Sequence, residues 1–190
     1  MILGITGGTG CGKTTLLREI EDRGGLVLDC DAVYHELLTR DDALLKAIDH
    51  RFPGVVVDKK LERKKLGAIV FADEAALLDL NAITHEAIKA EILRRLAEKP
   101  ALAAIDAIAL FEGGLSDLCD TTVAVCSPVD DRVKRLMERD GISREYAENR
   151  IRAQKDEAWF REMCAYTLYN DGTREQFGEK CRTFLDELLN

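Results

Sequence analysis

Two rhythms of apolar residues alternate along the chain. Short continuous runs read as buried strands: ILGI at residues 2–5, LVLD at Leu26–Asp29, ALAAIDAIALF with its strand ending near Asp106 or a little beyond, and TTVAVC at Thr121–Cys126. Between the runs, apolar residues return every three or four positions, and Leu16, Leu17 and Ile20 mark one helical face. Gly24 and Gly25 stop that helix. Residues 32–98 are almost wholly helical in pattern, interrupted at RFPGVVVDKK, where Pro53 and Gly54 break the period. Ser127-Pro128 predicts a helix start with serine as N-cap and proline at the first helical position, and two or three helices follow up to Tyr166. TLYN reads as a last short strand, Asp171-Gly172 as a turn, and TREQ at 173–176 as the capping box of a final helix. Buried strands joined through helices predict an α/β architecture, a parallel sheet covered on both faces with ligands at the carboxyl ends of its strands.

The first strand and helix are joined by TGGTGCGKTT. Glycine is the costliest residue to order, so four glycines in six positions need a use for bare backbone. Gly7 to Thr14 match G-x-x-x-x-G-K-[ST], a loop whose backbone N–H groups converge on phosphate oxygens beside the positive end of a helix. Lys13 adds a compact charge for the terminal phosphates, and Thr14 offers a hydroxyl to Mg²⁺. The pattern predicts a site for nucleotide phosphates.

Composition narrows the classes. The 190 residues suit one domain that carries subdomains. A net charge of −8 gives no general attraction to a polyanion, so nucleic acid is not expected as a partner. No apolar run reaches membrane-spanning length, so no membrane is expected either. Six cysteines without a C-x-x-C pair, and no charged leader before an apolar stretch, predict free thiols in a reducing cytoplasm.

Asp29, Asp31, Asp106 and Glu112 all follow the apolar parts of strands and are expected near the glycine loop. If LVLDCD stays extended, Asp29 and Asp31 point to one side. Asp31 is then a candidate base for an attacking hydroxyl, unless these acids are helix caps. Asp106 is a candidate metal acid, or else a buried acid paired with a neighbour. In the segment after Pro128, Arg132, Arg135 and Arg139 fall on one helical face opposite Val133, Leu136 and Met137, and Arg144, Arg150 and Arg152 follow. Such a stripe is either a solvated face paired with acids or a source of a catalytic arginine for phosphoryl transfer. His35, His50 and His85 lack metal-ligand spacing with any cysteine. Cys11, inside the loop, either ionises near the helix start and is redox-sensitive or fills a small-residue slot.

Taken in order, these segments resemble the dephospho-coenzyme A kinase family nearly end to end. TGGTGCGKTT is similar to its phosphate loop, and LVLDCDAVYHEL to its second-strand signature. LERKKLGAIVFAD and LNAITHEAI are similar to its substrate-side helices, and AIDAIALFEGGL to its third strand. RLMERDGISREYAENRIRAQ is similar to its lid, and LYNDGT to its last strand-to-helix turn. The resemblance implies a three-layer α/β/α P-loop NTPase fold: a nucleotide core at about 1–31, 100–127 and 167–190, a helical substrate subdomain at about 32–98 and a helical lid at about 128–166. It implies transfer of the ATP γ-phosphoryl group to the ribose 3′-hydroxyl of dephospho-coenzyme A, with Mg²⁺, by a monomer or weak homo-oligomer. Carried over by position, it puts ATP on Gly8, Thr9, Gly10, Cys11, Gly12, Lys13, Thr14 and Thr15, with Arg139, Arg150 and Asn170 beside it. Catalysis falls to Asp31, Lys13 and Arg139, the metal to Thr14 and Asp106, and the acceptor to Thr6, Asp31, His35, Arg63, His85 and Glu112. The chain departs from the family pattern at Cys11, usually serine, and at Glu86 and Ile108, usually proline. Without proline at 86, a helix is expected to run on past His85. The phosphate loop by itself also fits a kinase for another small hydroxyl acceptor, or a nucleotide switch that transfers nothing.

Overall fold

In the computed structural model, which describes residues 1–190, the chain begins with the central strand β1 (Ile2–Thr6), the glycine loop and helix α1 (Lys13–Asp22), then β2 (Leu26–Asp29). Next come α2 (Cys30–Arg40), α3 (Asp42–Arg51), a two-strand hairpin of β3 (Val56–Val57) and β4 (Lys60–Leu61), α4 (Arg63–Val70) and the long α5 (Glu74–Leu96). Strands β5 (Ala103–Asp106) and β6 (Thr121–Cys126) precede α6 (Val129–Asp140), α7 (Arg144–Arg152), α8 (Glu157–Met163), β7 (Tyr166–Tyr169) and α9 (Arg174–Leu189). Two units separate by their contacts: Met1–Leu28, Pro100–Leu110 and Ser116–Asn190 in the first, Asp29–Lys99 and Phe111–Leu115 in the second.

In the first unit the sheet runs β2-β5-β1-β6-β7, with β1 parallel to both β5 and β6, and β6 parallel to β7. Parallel pairs, including the consecutive β6 and β7, cannot be joined by tight turns and require the helical crossovers that the periodicity predicts. Leu16, Leu17 and Ile20 of α1 and Phe177, Cys181 and Leu185 of α9 pack with Leu3, Ile5, Ala104, Val123 and Val125 of the strands. Truncating such a residue, as in Leu3→Ala, costs about 2–5 kcal/mol. Helix α9 opens with the expected box: the Thr173 hydroxyl accepts from Gln176 N (3.2 Å), and Gln176 Oε1 accepts from Thr173 N (2.9 Å).

Three local expectations need correction. Helix α6 starts at Val129 with Pro128 as cap and no side-chain cap bond, because the Ser127 hydroxyl is used elsewhere: it donates to Asn170 O at 2.6 Å and accepts from Arg135 Nη1 at 2.8 Å. Strand β5, by contrast, ends at Asp106 as expected, with Ala107 N still donating to Ile5 O (3.1 Å). On α6 the buried residues are Arg132, Val133 and Leu136, whereas Met137 is exposed, so the apolar stripe is narrower than its spacing predicts and Arg132 lies on its side. Finally, LVLDCD does not stay extended, since helix α2 begins at Cys30.

The second unit is helical apart from the β3–β4 hairpin, a two-residue pairing too short to leave an alternating signature in RFPGVVVDKK. Asp29, Asp41 and Asp73 cap α2, α3 and α5. Helix α5 passes unbroken through His85 and Glu86, as the missing proline predicts.

Candidate active site

Every backbone carbonyl from Gly7 to Gly12 is occupied. Gly7 O accepts from Lys13 Nζ (3.1 Å), Gly8 O from Cys11 N (3.2 Å), and Gly12 O from Thr15 N (3.0 Å). The three between are held by side chains from distant sequence: Thr9 O by Arg132 Nε (2.9 Å), Gly10 O by Arg135 Nη1 (3.0 Å) and Cys11 O by Asn170 Nδ2 (2.9 Å). Gly12, at φ 100°, is the N-cap of α1, and neither a capping side chain nor a first-turn acid fills that helix start. A helix N-terminus left open in this way favours an anion.

The glycines have a second cause besides phosphate approach. A Cβ at Gly8 would run into the Arg132 guanidinium, and one at Gly12 into the Asn170 amide. Any larger residue at either position would displace a group that ties the loop.

Lys13 Nζ stands 3.8 Å from Asp106 Oδ1, both side chains being mostly buried, so the acid at the end of β5 does pair with a neighbour. Cys11 is 1% exposed, and burial pushes its thiol above the ordinary range although the Lys13 charge pulls the other way. A thiol held protonated there packs as a small buried residue. Thr6 is buried, and its hydroxyl donates to Ile108 O at 3.2 Å. Asn170 is buried as well, its amide committed to the loop carbonyl.

Arg139 and Arg150 converge on Asp140. Arg139 Nε and Nη2 reach its two oxygens at 2.7 and 3.0 Å, and Arg150 Nη1 reaches Oδ2 at 2.6 Å. The Arg139 hydrogen bonds, ahead of that from Arg150, hold the Asp140 carboxyl down to about 2. All three are at least partly exposed. Arg144 instead pairs with Asp130 (2.6 Å) and Glu148 (3.1 Å), the solvated-face alternative.

The second unit holds the other predicted residues. The Asp29 carboxylate accepts from Asp31 N (2.9 Å) and Ala32 N (3.1 Å), so the cap is Asp29, and Asp31 is left in the exposed first turn of α2. His35 lies one turn further on the same helix, its Nδ1 3.3 Å from Arg63 Nη2 at the start of α4. His85 is half-buried on α5. Burial lowers its pKa, and the Glu112 charge partly opposes that. Arg40 of α2 and Arg94 and Arg95 of α5 surround the buried Glu91 at 2.6–2.8 Å.

Sequence reasoning missed what Arg132, Arg135 and Gln154 do. Gln154 Oε1 accepts from Thr9 N (2.8 Å) and sits 3.4 Å from Arg132 Nη2. The one signal was an arginine beside Val133 at the edge of an apolar stripe.

A parallel sheet flanked by helices, with a tied glycine loop and lysine leading from its central strand into a helix, defines a P-loop NTPase fold. The family model described as dephospho-CoA kinase matches residues 1–176. A curated dephospho-CoA kinase of Latilactobacillus sakei is 33% identical over 189 residues, covering 97% of this chain and 94% of its own. A crystal structure from Thermus thermophilus superposes with TM-score 0.83 at 32% identity, covering 99% of this chain and 97% of the other. Dephospho-CoA kinase from Campylobacter jejuni follows at TM-score 0.69 and 26% identity, over 98% and 96%. The chain belongs to the dephospho-CoA kinase family.

Proposed function

We propose that the protein transfers the γ-phosphoryl group of ATP to the ribose 3′-hydroxyl of dephospho-CoA. The acceptor oxygen forms the new P–O bond, the bond to the β-phosphate oxygen breaks, and ADP leaves. The family match supports the reaction, and the tied loop at an uncapped helix start supports the nucleotide half. Gly8 to Thr15 bind the phosphates, with Lys13 on the terminal ones. Arg139 and Arg150 exchange Asp140 for phosphate oxygens, and Arg139 neutralises charge that develops in transfer.

On the acceptor side, Asp31 takes the proton of the attacking hydroxyl; its position in an exposed first turn, free of capping duty, supports that role. His35, Arg63, His85 and Glu112 hold the ribose and the rest of the acceptor, and the His35–Arg63 contact supports their acting together. Thr6 acts through Ile108, shaping the end of β1.

The donors fit Mg²⁺. No three Asp, Glu, His or Cys side chains cluster tightly enough to cage a metal, and Mg²⁺ is held by one or two protein oxygens with water and phosphate. Thr14 and Asp106 would supply those oxygens, and the ion would neutralise phosphate charge. No helix is long and apolar enough to cross a membrane, and the six free thiols suit a reducing cytoplasm. A monomer or weak homo-oligomer completes the reading.

The test is a coupled assay of MgATP with dephospho-CoA, beside a panel of nucleosides and small alcohols. We expect ADP to appear only with dephospho-CoA. ADP release with another acceptor, or with none, sinks the assignment.

A further inference from the structure

We propose that Arg132 and Arg135 are positioning residues of the phosphate loop, aiming its amides at the nucleotide, with no direct part in neutralising the transferred group. The inference rests on the loop being the ATP site, as argued above.

The peptide unit is planar and trans, so a carbonyl and the following N–H point in opposite directions. Fixing Thr9 O orients the Gly10 N–H and fixing Cys11 O orients the Gly12 N–H, while fixing Gly10 O keeps the Cys11 N–H in its 3.2 Å bond to Gly8 O, which closes the turn between them. Arg132, Arg135 and Asn170 take those three consecutive carbonyls. The Gly10 and Gly12 amides are thereby turned away from the side chains that hold the carbonyls, as an anion nest requires, and the turn between them is held in place. Left alone, a glycine-rich segment would sample many conformations and lose that freedom on binding. The clamps impose the ordering beforehand.

The guanidinium surroundings point the same way. The hydrogen bonds of Arg132 and Arg135 end on neutral oxygens: Thr9 O, Gln154 Oε1, Gly10 O and Ser127 Oγ. Their charge is therefore directed at the loop, whereas Arg139 and Arg150 are tied to Asp140 at the exposed end of α6. Arg132 is only 7% exposed, with Gly8 lying against its guanidinium. Arg132, so enclosed, and Arg135, held between Gly10 O and Ser127 Oγ, are not placed to swing and follow a moving phosphoryl group. The first turns of α6 thus belong to the loop's scaffold, and the arginines free to respond to the nucleotide begin at Arg139.

Arg132→Met and Arg135→Met remove the donors at similar volume, and Arg132→Lys and Arg135→Lys restore one donor each. Calorimetry with MgATP, steady-state kinetics for both substrates and hydrogen exchange of Gly10–Gly12 in the nucleotide-free protein are the readouts. Each Met variant is expected to weaken ATP binding by about tenfold or more and to speed exchange of those amides by a similar factor, as for a lost charge-assisted bond. The KM for dephospho-CoA stays within twofold, and each Lys variant falls between its Met counterpart and the parent. ATP affinity within twofold of the parent in folded Met variants, or a parallel rise in both KM values, overturns the proposal. Where a Met variant does not fold, the Lys variant decides, with an unchanged ATP affinity counting against the clamp. Lys13→Ala, run alongside, separates the two failures: if it too leaves ATP binding intact, the loop is not the nucleotide site at all.

Discussion

Lys13 Nζ lies 3.8 Å from Asp106 Oδ1 and donates to Gly7 O at 3.1 Å, so the loop lysine is held by its own loop and by the end of the neighbouring strand. Both partners are ones that triphosphate oxygens can replace. Lys13→Ala should abolish measurable MgATP binding in calorimetry while leaving the fold intact by circular dichroism. Asp106→Asn should act differently, since it removes an oxygen proposed to hold Mg²⁺ and keeps the cation. The Mg²⁺ concentration for half-maximal activity is expected to rise fivefold or more, with ATP affinity at saturating Mg²⁺ within a fewfold of the parent.

Arg139 and Arg150 share one carboxylate, and this gives an activity effect and a pH effect. Removing a transition-state arginine, the role proposed for Arg139, costs orders of magnitude in rate, so Arg139→Ala should lower kcat at least a hundredfold with ATP KM changed far less. The Asp140 carboxyl is held down from 3.8 to about 2. A group whose folded pKa is depressed adds stability above its unfolded value and loses it as pH falls through the folded one. The contribution of Asp140 should thus be complete above pH 4 and disappear toward pH 2. Asp140→Asn should flatten the acid limb of thermal melts in that window. An unaltered acid limb would count against the shared ion pair.

Much of the nucleotide unit was legible because its causes are local. The period of Leu16, Leu17 and Ile20, the TREQ box and the glycine spacing each act over a few residues and wrote themselves into sequence. What could not be read is the pairing of carbonyls at 9–11 with side chains more than 120 positions away. Arg132 and Arg135 share a stripe with Arg139, and spacing alone does not say that two of the three face inward while the third faces solvent. Ser127 shows the same limit. Its type and place announce a cap, and only the fold assigns its hydroxyl to Asn170 and Arg135. In the second unit, the change from extended chain to helix at Cys30 decided which aspartate caps and which stays free.

His85 should be neutral at pH 7, since burial lowers its pKa below 6.5. A neutral imidazole can both donate and accept toward a ribose or phosphate ester, which a cation cannot. The Glu112 charge opposes the shift, so Glu112→Gln should lower the midpoint further. NMR titration of the imidazole in the parent and variant checks this. A midpoint above 6.5 in the parent, or a rise in the variant, would contradict the assigned surroundings.

Glu91 joins the two helices that carry the proposed acceptor residues. Arg40 of α2 reaches it at 2.6 Å, Arg94 and Arg95 of α5 at 2.7–2.8 Å, and Arg95 also pairs with Glu36 of α2. The first of these hydrogen bonds, from Arg94, with those from Arg95 and Arg40, holds the carboxyl far below the ordinary carboxylate range despite burial. Breaking a buried ion pair is costly because the partner charge is stranded, but Arg40 and Arg94 are half-exposed and water can solvate them. Glu91→Gln is therefore expected to cost about 1–2 kcal/mol, a drop of roughly 3–6 °C in Tm for a chain of this size. With its folded pKa depressed, Glu91 stabilises above 4.5, and its contribution declines as pH falls below that value. The deficit of Glu91→Gln should accordingly be full at pH 7 and shrink under acid. Asp31 and His35 ride on α2 and His85 on α5, so a loosened brace should raise the KM for dephospho-CoA severalfold and leave ATP binding unchanged. Equal losses in both substrates would show instead that Glu91 supports the fold alone.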